Sequence, residues 1–164
     1  MNHLGIDLSK LNYSFVKKPI LVGGKAMEYY ELRKSGDDID FIVCEEDIRN
    51  LVKIYPNRVK DLWADFGVCP FEFEIWRTIC YLKYEDLLEE SIQTDEFFVI
   101  SKKNLLLMKA LAMKEEKYLK DTQMIVESML NDIGKKFDLE RKAVDEMISR
   151  IDGIIYIEKI GPEV

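Results

Sequence analysis

The sequence predicts an α+β protein: a mixed β-sheet flanked by helices, followed by a C-terminal helical part. Three observations predict it. Short apolar runs bounded by turn residues recur before residue 100, among them PILV at 19–22, IDFIVC at 39–44 and FEFEIW at 71–76, the pattern of buried or half-buried strands. Charged stretches free of helix breakers lie between the first of these runs. From Ser101 onward apolar residues recur three and four apart, the period of helices with a buried face. The expected organisation is an α/β core over residues 1–100 and a helical part over residues 101–164, packed on it as a single compact unit with any cleft between the two.

Taken in order, PILV reads as a strand stopped by Gly23-Gly24. Residues 25–33 (KAMEYYELR) hold good helix formers, and Ser35-Gly36 end that helix. The second strand covers 39–44, preceded by Asp37-Asp38. A charged helix over 46–55 closes at Pro56-Asn57. Residues 71–76 alternate apolar and acidic with period two, a half-buried strand with Glu72 and Glu74 on one face. Residues 96–100 form a further strand. In the helical part Leu105, Met108 and Ala112 share one face, Tyr118, Thr122, Ile125 and Met129 a second, and Leu139, Ala143 and Met147 a third; Gly134 separates the last two. Residues 154–160 read as a short final strand or an extended tail.

The composition narrows the chemistry. In 164 residues, 48% are apolar and 34% charged, enough for a core that needs no disulfide or metal staple. Lys plus Arg is 24 against 31 Asp plus Glu, a net charge of -7, which does not favour broad attraction to nucleic acid or anionic membrane. The single histidine, His3, excludes an HExxH zinc site, and it excludes Ser-His-Asp or Cys-His catalysis unless His3 itself serves. Cys44, Cys69 and Cys80 form no CxxC and read as reduced, mostly core thiols. Any metal is then expected to be a hard cation held by carboxylates: magnesium, manganese or calcium. No signal-like stretch or run of about 18 apolar residues stands out, so a soluble, cytoplasmic protein without a membrane partner is expected.

Three features in chain order carry the chemistry: Gly23-Gly24 after a strand, Asp38-Ile39-Asp40 opening the next, and a later strand bearing Glu72 and Glu74. In a strand Asp38 and Asp40 project to the same side, roughly 7 Å apart along the backbone. If a neighbouring strand brings Glu74 beside them, three carboxylates share a small volume. Unit charges at 4 Å repel by about 4 kcal/mol per pair at an effective dielectric near 20, so such a cluster needs a cation or a protonated member. Two magnesium ions would make it a phosphoryl-transfer site. Without side chains, the two glycines let a phosphate approach the backbone at the start of the following helix.

The stretch LVGGKAMEYYELRKSGDDIDFIV, residues 21–43, resembles the signature of the nucleotidyltransferase superfamily, the DNA polymerase β-like fold. Val22, Gly23, Gly24, an intervening helix, Asp38, Ile39, Asp40 and Phe41 match it in order. The superfamily's third carboxylate lies between apolar residues on a later strand. Both Phe71-Glu72-Phe73 and Phe73-Glu74-Ile75 satisfy this, with Glu74 favoured. VISKKNLLLMKALAMKEEKYLKDTQMI, residues 99–125, is similar to the helical segment of small stand-alone members, whose lysine and Lys-Asp pair would be Lys109 and Lys120-Asp121. AbiEii-type toxins and small antibiotic nucleotidyltransferases are the relatives suggested.

The resemblance implies transfer of an NMP group from an NTP, with ATP preferred, to a hydroxyl acceptor with release of pyrophosphate. Asp38, Asp40 and Glu74 would be catalytic and hold Mg2+ or Mn2+, Glu74 also helping to deprotonate the acceptor. Gly23 and Gly24 would cradle the β- and γ-phosphates, with Arg33, Ser35 and Lys109 as further nucleotide contacts. The acceptor, a small molecule, a tRNA or a protein, is left open, and the apolar helical faces are those a homodimer would use. Gly24 stands where many members have Ser, and Asp37 adds an out-of-phase fourth carboxylate.

Plainer readings accompany each residue. Arg33 and Lys34 suit a helix end, and Lys109 can snorkel beside Leu105 and Met108. Lys120-Asp121 suits a helix surface, Asp121 also serving as a structural tie between the helices and the site. Trp63 and Trp76 suit the core or a cleft wall, and Met108, Met113, Met124 and Met129 suit helix packing. The alternative function is a catalytically inactive protein of the same fold that binds a protein, nucleotide or RNA partner.

Overall fold

The computed structural model describes residues 4–62, 65–112 and 115–159, with 152–159 described by backbone alone. His3, Trp63 and Met113 therefore lie outside the described residues. The chain divides into two compact units, Met1–Leu111 and Ala112–Val164, where the sequence pattern placed the division after residue 100.

The first unit opens with a 3-10 turn, Leu8–Leu11, then β1 (Ile20–Leu21), α1 (Gly23–Tyr29), β2 (Ile39–Ile42) and α2 (Glu45–Ile54). β3 (Val59–Asp61), β4 (Phe66–Val68), β5 (Phe73–Ile79) and β6 (Leu82–Lys83) follow. α3 (Tyr84–Leu88), β7 (Ile92–Gln93), β8 (Phe98–Val99) and α4 (Lys102–Leu111) complete it. The eight strands form one mixed sheet in the order β3-β4-β5-β2-β1-β8-β7, with β6 paired to β5. β2 runs antiparallel to β1 and parallel to β5.

Alternation decides which face each strand residue takes. Ile39 and Phe41 on β2 and Phe73 and Ile75 on β5 are buried, and their register partners match across the pair. Phe41 stacks on Phe73 with ring centroids 6.5 Å apart and meets Phe97 edge-on at 5.7 Å. Asp40 and Glu74, each flanked by these buried residues, are half-buried on the opposite face.

Two boundaries differ from the sequence pattern in ways that matter to the site. The helix expected over 25–33 begins earlier, at Gly23, and ends at Tyr29, because Glu31 takes a left-handed φ of 57°. Arg33, Lys34 and Ser35 thus lie on the return loop, so the two cations do not sit at a helix end. The strand expected over 71–76 starts at Phe73. Phe71 has a φ of 55° and the Phe73 N–H donates to Pro70 O, so Glu72 belongs to a turn.

The second unit consists of α5 (Glu116–Lys136) and α6 (Arg141–Lys159). Gly134 does not separate helices. It lies inside α5, where a Cβ would come within 2.5 Å of Val144 Cγ2, so its lack of a side chain admits close packing of α6. Residues 154–159, read as a strand or tail, continue α6, as expected when a growing helix adds one hydrogen bond per residue and overrides β-branched preference. Among the described residues no helix is long and apolar enough to cross a membrane.

Candidate functional site

The parallel pairing of β2 with β5 sets Asp40 directly opposite Glu74. Their side chains leave the sheet on one face, so two carboxyls occupy neighbouring positions. Burial is the main cause that pushes Asp40 up to about 6. The Trp76 hydrogen bond and the Lys109 charge pull it down, while Glu74 raises it further by charge and hydrogen bonding. The Trp76 indole N–H donates to Asp40 Oδ1 at 3.3 Å, and Lys60 Nζ lies 3.0 Å from Glu74 Oε1. Glu72 is elsewhere: its carboxylate takes the Lys10 ammonium at 2.5 Å. Of the two candidates, Glu74 is the one the fold brings to Asp40.

Gly23 closes the other side of Asp40. It has a φ of 64°, and a Cβ there would lie 3.0 Å from Asp40 Cγ and closer still to Oδ2. Only glycine combines that backbone with that approach. Beside it Gly24 faces the return loop, its would-be Cβ lying 3.4 Å from Ser35 Cβ and 4.0 Å from Arg33 Nη1. Gly23, Gly24, Arg33 and Ser35 are therefore neighbours in space. The Ser35 hydroxyl donates to Glu28 Oε2 at 2.5 Å, and Lys25 Nζ reaches the same oxygen at 3.2 Å. Arg33 Nη1 donates to Lys34 O at 3.0 Å.

Lys109 on α4 is buried, and its charge is felt at Asp40. That placement answers the snorkelling reading, since the ammonium is not carried out to water. Asp38 and Asp37 are exposed just ahead of β2. On the second unit Lys120 pairs with Glu116 at 3.3 Å on the α5 surface, while Asp121 is buried. Cys44 is buried, and Cys69 and Cys80 are half-buried, all three free.

Two carboxyls alone would repel, but Lys60 and Lys109 supply two positive charges, so a metal is not the sole route to balance. The oxygen donors still suit magnesium, which takes one or two protein carboxylates and fills its other positions with water and phosphate. Asp40 and Glu74 would be those carboxylates. Among the described residues no group of three or more His, Cys, Asp or Glu is arranged to hold a metal ion.

Lys60, Lys25 and Glu28 were not legible as site residues, and Trp76 was assigned to core or cleft wall. The period-two run through Phe73-Glu74-Ile75-Trp76 does put Trp76 on the face of Glu74, the one signal that pointed there. No family model matches the chain, and no curated protein and no solved structure matches it.

Proposed function

We propose that the chain is a nucleotidyltransferase that moves an NMP group from an NTP, ATP in the first instance, to a hydroxyl acceptor with release of pyrophosphate. The observation that most supports this reading is the close approach of Gly23 to Asp40, with Glu74 in register beside Asp40. An oxygen-binding carboxyl pair thereby adjoins the glycine start of α1.

In this reading Asp40 and Glu74, with Asp38 at the rim, hold Mg2+ or Mn2+. The bound cation supplies charge neutralisation of the triphosphate and polarisation of the reacting phosphorus. Gly23 and Gly24 admit phosphate oxygens, and Ser35, Arg33 and Lys109 donate to them. A carboxylate of the pair accepts the proton as the acceptor oxygen bonds to the α-phosphorus and the bond to the β-phosphate oxygen breaks.

Calorimetric titration of ATP with and without magnesium tests the reading on the wild type and Asp38→Asn/Asp40→Asn. Magnesium-dependent binding that the double variant abolishes is expected. Binding indifferent to both magnesium and the aspartates, or no binding, overturns it. One observation favours the second reading, an inactive protein of this fold that binds a partner: Lys60 and Lys109 already provide charge for the two carboxyls. For that protein, ATP binding would ignore magnesium.

A further inference from the structure

Lys60 reaches the acidic pair across an intervening strand. It lies on edge strand β3, its register partner on β4 is Gly67, and Gly67 in turn pairs with Trp76 on β5. Residue 67 has no room for a side chain: a Cβ would come within 2.5 Å of Trp76 Cε3 and 2.6 Å of Ile75 O. The bare glycine lets the Trp76 indole lie against β4. Over that indole the Lys60 ammonium ends 3.0 Å from Glu74 Oε1 and 5.9 Å from the Trp76 ring centroid, while the indole holds Asp40. Lys60 thus contacts one acid directly and stands over the group that positions the other.

Resting on the nucleotidyltransferase reading, we propose that Lys60 is a built-in counter-ion that a divalent cation must displace from Glu74. A divalent cation drawn to the Glu74 carboxylate meets the positive charge of the ammonium already on Oε1, so the two compete. The pair is suited to exchange: the Lys60 side chain is 46% exposed and can swing into water, and exposed ion pairs are weak. A lysine ammonium in water stays protonated near neutral pH, so Lys60 keeps its charge when it leaves. The half-buried Cys69 thiol lies beside it and offers a second contact. Lys60 is a positioning residue here: it keeps the acids apart in charge until the metal arrives, and it lowers metal affinity in doing so.

The test titrates Mn2+ alone, by calorimetry, into wild type, Lys60→Met, Lys60→Gln and Lys60→Arg. Met and Gln remove the charge and keep a stem over the indole, so a folding defect in one is checked by the other. Both are expected to bind Mn2+ about tenfold more tightly, equivalent to about 1.4 kcal/mol, and Lys60→Arg about as wild type. In a Trp63→Phe background Trp76 is the remaining indole of the two. Its emission shift on adding Mg2+ should be larger when Lys60 is present than in Lys60→Met, because only then does an ammonium also leave the indole face. Unchanged or weaker Mn2+ affinity in the neutral variants, alongside magnesium-dependent ATP binding by the wild type, overturns the counter-ion role and leaves the function standing. Failure of every protein to bind Mn2+, with ATP binding indifferent to magnesium, overturns both.

Discussion

Gly23 stands against Asp40 so closely that a single added methyl would overlap the carboxylate. Its positive φ adds a second reason for glycine, since an L side chain there is strained. Gly23→Ala is expected to lower stability by about 2–3 kcal/mol, the strain and the clash together. Gly24→Ala meets its nearest neighbour at 3.4 Å inside a helix, so it should leave stability unchanged or raise it by up to about 1 kcal/mol. Urea denaturation of the two variants separates them. Equal losses would show that Gly23 is not special.

Asp40 makes a pH prediction with a definite sign. Burial first, then Glu74, hold its carboxyl at about 6 against an ordinary 3.8. The folded chain therefore binds this proton more tightly than the unfolded chain does. The stabilisation is fully present below about pH 4 and is lost as pH rises through about 6. Glu72 and Glu28, lowered first by hydrogen bonds from Lys10 and Ser35, respond in the opposite direction at lower pH. The wild-type Tm minus that of Asp40→Asn isolates the one group. In chelator-containing buffer the difference should fall between pH 4 and pH 6, and a flat difference would refute the assignment.

Asp47 anchors the N-terminal segment. Fully buried at the start of α2, it accepts from the Tyr13 hydroxyl at 2.7 Å, Val16 N at 2.8 Å, Lys17 N at 3.3 Å and Cys44 Sγ at 3.0 Å. Asp47→Ala strands all of these donors and should cost about 3 kcal/mol or more. Tyr13→Phe removes one and should cost about 1 kcal/mol. Thermal melts give the ranking, and hydrogen exchange at the Val16 amide should accelerate in Asp47→Ala. A smaller loss for Asp47→Ala than for Tyr13→Phe would contradict the network.

In the second unit Gly134 and Val144 should couple. Gly134→Ala gains about 1 kcal/mol of helix propensity but drives its methyl into Val144. A net loss of about 1–2 kcal/mol is expected. Val144→Ala should make the same substitution neutral or favourable, and a double-mutant cycle measures the interaction. Additivity of the two changes would mean that the helices are not in contact at this point.

Legibility followed sequence separation. β2 and the first half of β5 could be read because alternation is a property of neighbours along the chain, and Asp40 and Glu74 interrupt buried runs. β3, β4, β6 and β7 were not read: VKD, FGV, LK and IQ are too short to show a period. The end of α1 was misplaced because a left-handed Glu31 leaves no mark in composition.

Residue types, the glycine pair and the acid spacing are local, and local periodicity was enough to place Asp40 and Glu74 on strands between apolar neighbours. Which acid meets Asp40 is a question of register between strands more than thirty residues apart: the pairing sets Glu74 opposite Asp40 and leaves Glu72, two residues earlier, in the turn before β5. The charges that balance the pair come from β3 and α4, through Lys60 and Lys109. A single amino-acid sequence carries the chemistry of each group; chain topology brings the groups within a few ångströms, where burial and Coulomb energy give Asp40 and Glu74 their character.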